Sequence, residues 1–157
     1  FFRGDYLEAV NAFEAALSPR LGNANDYLAW ANLADALLWV PGKKREAIKN
    51  YNRAIELLSP LLLKHPGDSK LYSRMALYVA RLGNREESKK ILEQIMIEDT
   101  SDLDAHFRIG LAYELIGERS LALKEIRTAR KLGYPLGNIE AEPDLESLRR
   151  DPHYDLR

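Results

Sequence analysis

Residues 107–123 read FRIGLAYELIGERSLAL, and this stretch decides the fold. Apolar residues recur every three to four positions through Phe107, Leu111 and Ile116, the spacing of one helical face. Gly117 then breaks the pattern, and a second periodic run begins at Arg119 and continues through Ala122, Ile126 and Ala129. Two helices joined by a turn too short for anything but an antiparallel pair follow from this reading.

Moving thirty-four residues upstream from this stretch recovers the same pattern. His106, Ile109, Gly110, Tyr113, Gly117, Ala122, Ile126 and Ala129 align with Tyr72, Met75, Ala76, Val79, Gly83, Ser88, Leu92 and Ile95. Large positions map mostly onto large ones, small onto small, and glycine onto glycine, over a register without a gap. An internal period of this length marks stacked supersecondary units that cannot bury an apolar face alone. The register extends further upstream. Trp30, Leu33, Ala34 and Leu37 occupy first-helix positions, and Ala47, Tyr51 and Ala54 second-helix positions, displaced by one residue near Pro41-Gly42. Gly4, Ala9, Phe13 and Ala16 take the turn and second helix of a unit whose first helix would precede Phe1.

Helices are expected over 5–17, 26–39, 43–64, 69–82, 85–98, 102–116 and 119–132. Pro19 and Gly22 should end the first of them, and Pro60 should kink or split the third, because proline lacks the amide proton a helix interior uses. Gly83 and Gly117 fall at turns where a left-handed residue is easiest for glycine. Ser88 and Ile95 stand where smaller residues would pack two helices more closely, which predicts looser packing there. In the tail, Glu142-Pro143 and Asp151-Pro152 each read as a cap followed by proline in a first turn, with Leu145, Leu148, Tyr154 and Leu156 as an apolar set.

Composition narrows the function classes. The 157 residues are 46% apolar and 30% charged, with a net charge of −1, so no global field draws the chain to nucleic acid or anionic lipid. The absence of cysteine excludes disulfides, thiolate metal sites and cysteine nucleophiles, and fits a reducing compartment, so a cytoplasmic location is expected. The apolar runs Leu57-Leu58 and Leu61-Leu62-Leu63 are far too short to span a bilayer, and no signal peptide is evident. His65, His106 and His153 share no ligand spacing, so neither a metal nor a cofactor is expected. No phosphate loop or nucleophile elbow is present, and no carboxylate pair is marked for burial, so no catalytic residue is assigned and the chain reads as a non-enzyme. Arg3-Gly4-Asp5 spells an adhesion tripeptide, but the register explains it as a turn.

The WANLADAL stretch from Trp30 and the FRIGLAYELIGERSLAL stretch from Phe107 resemble the tetratricopeptide repeat family, over roughly residues 4–135. The resemblance implies an all-α, right-handed α-α superhelix. It would form a single domain with a truncated unit at 1–24, a unit with an extended second helix at 25–68, units at 69–102 and 103–136, and a C-terminal cap at 137–157. The tail is similar to the capping segment of bacterial tetratricopeptide regions appended to kinases, cyclases or transcriptional regulators, and Phe1 in place of methionine suggests a piece of such a longer protein. The family lines a concave groove with its first helices. Carried over, that groove would hold Asn32, Asp35 and Trp39, then Lys70, Arg74, Leu77 and Arg81, then Phe107, Arg108 and Leu111.

Lys70, Arg74, Arg81 and Arg108 would make the groove basic within a slightly acidic chain, with Arg74 and Arg108 at equivalent positions and Trp39, Leu77, Phe107 and Leu111 as apolar anchors. Arginine offers a planar fork to carboxylates, so the expected partner is a protein or peptide segment, acidic or carboxylate-ended. Asn32, Lys70 and Arg74 also match the last three places of a family clamp for a terminal carboxylate. Two other readings stay open at this point. One is a regulatory segment docking on a signalling enzyme or transcriptional regulator within the same chain. The other is a self-association module forming a homo-oligomer through the apolar face of residues 5–17.

Overall fold

A computed structural model describes residues 5–18, 20, 22–95 and 101–156. Among these the chain is all-helical, with helices packing in pairs within each of two units. The expected turn at Gly4, the break at Pro19 and positions 96–98 of the expected 85–98 helix lie outside the described residues. Two compact units divide the chain, within Phe1–Lys64 and His65–Arg157.

The first unit contains α1 (Tyr6–Ala16), α2 (Tyr27–Leu38) and α3 (Lys44–Lys64). Asp26 caps α2 by accepting from the Leu28 amide at 2.9 Å, which satisfies one of the donors a helix start leaves without an internal partner. On α3, Ala47, Tyr51, Ala54 and Leu58 are spaced four, three and four apart and are all buried, forming the stripe that packs on α2. α1 packs on α2 through a face that buries Val10, with Leu17 buried just beyond its end.

Pro60 does not split α3, which runs unbroken from Lys44 to Lys64. The physical reason is where the missing bond falls. The carbonyl a fourth residue back belongs to Glu56, and both Glu56 and Pro60 face solvent, so water can take the vacant acceptor.

The second unit contains α4 (Ser69–Arg81), α5 (Arg85–Glu93), α6 (Leu103–Ile116) and α7 (Arg119–Lys131), followed by α8 (Leu136–Ala141), a 3-10 turn (Pro143–Leu145) and α9 (Glu146–Arg149). Here the thirty-four-residue spacing is visible as geometry. Asp68 accepts from Lys70 and Leu71 at 2.9 and 3.0 Å; Asp102 accepts from Asp104 and Ala105 at 2.9 and 3.0 Å. Gly83 and Gly117 both adopt positive φ, at 84° and 87°, which lets a short turn reverse the chain between paired helices. α4 packs on α5, and α6 on α7; α4 and α6 also pack on each other, which is why α4 buries nearly every residue from Tyr72 to Ala80. At Gly110 a side chain would meet Ile126, with an added Cβ only 2.7 Å from Ile126 Cδ1, so α6 and α7 approach as closely as glycine allows.

Two local details go beyond the expected pattern. Ser88 is fully buried and donates to the Ala76 carbonyl at 2.8 Å, which gives α5 a side-chain bond to α4. α5 ends at Glu93, where the Gln94 side-chain amide donates to the Lys90 carbonyl and the Gln94 backbone amide turns to Ile91. In the tail, Ile139, Leu145 and Leu148 are fully buried, whereas Tyr154 and Leu156 are only partly so. Pro143 does open a short 3-10 turn capped by Glu142, but Asp151-Pro152 forms a turn in which Asp151 accepts from the His153 amide at 2.8 Å.

Candidate functional site

In the first unit, Asn32 is exposed on α2, and Trp39, 36% exposed, stands just past the end of that helix. Asp35 is committed locally: it accepts from the Tyr51 hydroxyl, linking α2 to α3.

The candidate residues of the second unit separate into two groups. Lys70, Arg74, Leu77 and Arg81 share one face of α4, and Asp104, Phe107, Arg108 and Leu111 share one face of α6. Towards the C-terminal ends of this pair the surface is closed by the chain's own tail. Arg81 is only 6% exposed at its side chain, and its guanidinium lies 3.1 Å from Asp144 and 4.0 Å from Glu142. Nearer the start of α6, Tyr134, which follows α7, stacks on Phe107 with ring centroids 4.1 Å apart and planes 14° apart. Leu77, Phe107 and Leu111 are all buried, so they are core and not open anchors. The 3-10 turn packs on α6.

Further arginines fasten the tail. Arg119 donates to the Ser147 hydroxyl at 2.7 Å and pairs with Glu114, Arg127 donates to the His153 carbonyl, and Arg149 donates to the Glu142 carbonyl at 2.8 Å. Burial above all, with the nearby carboxylates Asp104 and Glu142 next, pushes the Tyr134 phenol up from 10.0 to about 12. Its folded pKa is raised, so in this window the native state keeps a proton that the unfolded chain has released. Stability should be unaffected below pH 10 and fall as pH rises from about 10 to about 12. An absorbance titration of phenolate, taken as the difference between the native chain and Tyr134→Phe, should show a midpoint near 12; a midpoint near 10 would mean the stack leaves the phenol in water.

Towards the N-terminal ends of α4 and α6 the surface is open. Lys70, Arg74, Asp102, Asp104 and Arg108 line a polar cleft with a volume of about 580 Å³. Arg108 donates through Nε to Ser73 Oγ at 3.0 Å, and the buried Ser73 hydroxyl in turn donates to the Lys70 carbonyl at 3.2 Å. Arg74 reaches the Lys70 carbonyl only at 3.5 Å. Lys70 stands 4.0 Å from Asp102, the residue that caps α6. Among the described residues, neither Arg74 nor Arg108 has a carboxylate within ion-pair distance. Burial first, and the charge of Arg74 second, hold the Arg108 guanidinium below its usual value, while Asp102 and Asp104 act in the opposite sense.

The structure thus brings Lys70, Arg74 and Arg108 together in one cleft and places Arg81 against the tail. The repeat register puts Ser73 and Asp104 on the same groove face without giving them a role, and sequence reasoning did not select Asp102, Tyr134, Glu142 or Asp144 as site residues. A serine inside the apolar run from Tyr72 to Ala80 was the available signal for Ser73, since a small polar residue there needs an internal partner. Among the described residues no three His, Asp or Glu side chains gather as a metal-ligand set, and no helix is long and apolar enough to cross a membrane. No protein-family model matches the chain, and no curated protein matches it.

Proposed function

We propose that this chain is a non-catalytic tetratricopeptide-type repeat module that binds an acidic segment of a protein partner in the cleft of Lys70, Arg74 and Arg108. The observation that carries the reading is the pair Arg74 and Arg108: equivalent in register, lining one cleft, and without a carboxylate partner among the described residues. Unpartnered guanidiniums side by side repel, and an anion between them relieves that repulsion while filling their planar forks. The thirty-four-residue recurrence of caps, glycines and helix starts supports the family reading. With it come a right-handed superhelical stack and a bacterial host protein, as the resemblance implies, and the absence of cysteine fits a cytoplasmic setting.

The tail narrows the surface on offer. Arg81, Leu77, Phe107 and Leu111 are already occupied, so the partner meets the N-terminal half of the α4–α6 face alone. Calorimetry with a pool of short Asp- and Glu-rich peptides tests the proposal. Arg74→Glu and Arg108→Glu should each weaken binding by about tenfold or more, and added salt should weaken the native interaction. Lys124→Glu, on the exposed face of α7, should leave it unchanged. Binding that survives both arginine reversals would remove the cleft from the mechanism.

A further inference from the structure

The arrangement of donors around the cleft says more about the ligand than its sign of charge. Arg108 spends its Nε–H on Ser73, a hydroxyl that is itself fixed by the Lys70 carbonyl and fully buried. Ser73 therefore sets the plane of the guanidinium. Among the described residues the terminal nitrogens of Arg108 have no hydrogen-bond partner. Arg74 holds a single long contact to a carbonyl, and the Lys70 ammonium stands at the edge of ion-pair distance from Asp102. Asp102 is occupied in capping α6.

A carboxylate has two oxygens and one charge, enough to fill one fork. Two forks converging on one cleft offer donors for a group with three acceptor oxygens. Lys70 stands beside the capping Asp102 and offsets it, and Asp104 is exposed, which leaves the two guanidiniums as the donors for the ligand.

Resting on the acidic-segment reading above, we infer that the cleft of Arg74, Arg108 and Lys70 is a receptor for a phosphorylated side chain of a partner protein, with Ser73 as the positioning residue for Arg108. A peptide is favoured over a lipid headgroup because a net charge of −1 and the carboxylates of Asp102 and Asp104 among the cations do not make the polybasic patch that an anionic bilayer surface requires.

The test uses the full chain and three pools of short acidic peptides that differ only at the central residue: serine, phosphoserine or glutamate. Inorganic phosphate and vesicles containing a phosphoinositide serve as separate arms. The phosphoserine pool should bind about tenfold more tightly than the other two, the advantage expected of a doubly charged group on paired guanidiniums. Arg108→Lys, which keeps the charge and loses the fork, should abolish most of that advantage. Ser73→Ala should reduce it while the serine and glutamate pools bind as before, a readout that a merely structural role would not separate. Circular dichroism checks that both variants stay folded. Equal binding of the three pools would overturn the phosphoryl inference and leave the acidic-segment reading standing. No binding by any pool would overturn both. Preference for inorganic phosphate or for vesicles over the phosphopeptides would overturn the assignment to a protein segment.

Discussion

Replacing Glu125 with alanine is expected to lower the unfolding free energy by about 2 to 4 kcal/mol, the combined cost of taking a hydrogen-bond partner from a buried imidazole and leaving a cavity. His106 on α6 and Glu125 on α7 meet at 2.6 Å, with side chains only 5% and 4% exposed. Their pairing sits inside the α6–α7 interface, one turn from the close approach at Gly110. The effect should divide by chemistry. Glu125→Gln preserves an acceptor and most of the volume, so it should cost about 1 to 2 kcal/mol. His106→Phe combined with Glu125→Leu removes both polar groups of the pair and should recover part of the loss. Urea denaturation of the three variants measures these differences. A loss below about 1 kcal/mol for Glu125→Ala would mean that the interface admits water and that the pair is not buried in solution.

Leu145→Ala should cost about 3 kcal/mol, and its consequences should extend past the cavity it leaves. Leu145 is fully buried at the end of the 3-10 turn that packs on α6, one residue from the Asp144 that holds Arg81. Loosening the turn loosens that ion pair, and with it the cover on Arg81. Trypsin should cut the variant faster at Arg149 or Arg150 than it cuts the native chain, since local opening of a weakly held segment governs such cleavage. An unchanged unfolding midpoint together with unchanged cleavage would show that the tail is an appendage with no part in the core of this unit.

The repeat was legible because its carriers are local. A glycine at the turn, an aspartate before the helix and small residues at the close-approach positions each act within a few residues of their place in the chain, so their spacing in sequence becomes their spacing in the fold. That α3 would run unbroken past Pro60 lay outside the local pattern: the cost of a helical proline depends partly on whether the orphaned carbonyl can reach water, and Glu56 is exposed. For Ser88 the volume was legible, and its acceptor, the Ala76 carbonyl on the facing helix, was not.

The site was legible only in part. That Arg74 and Arg108 share a surface follows from their equal place in the register. That Arg81, on the same face of α4, is sealed against Asp144 does not, since its partner comes from a segment with no counterpart in the repeat.

The closing of that face by the tail also has a temporal side. A ribosome delivers α4 to α7 before it delivers Tyr134 and the Pro143–Leu145 turn. Until those residues emerge, Phe107 lacks the ring that stacks on it and Arg81 lacks the carboxylates that neutralise it. The nascent helices therefore carry a wet, sticky flank through most of their synthesis, which is the interval in which a growing chain is most prone to wrong associations.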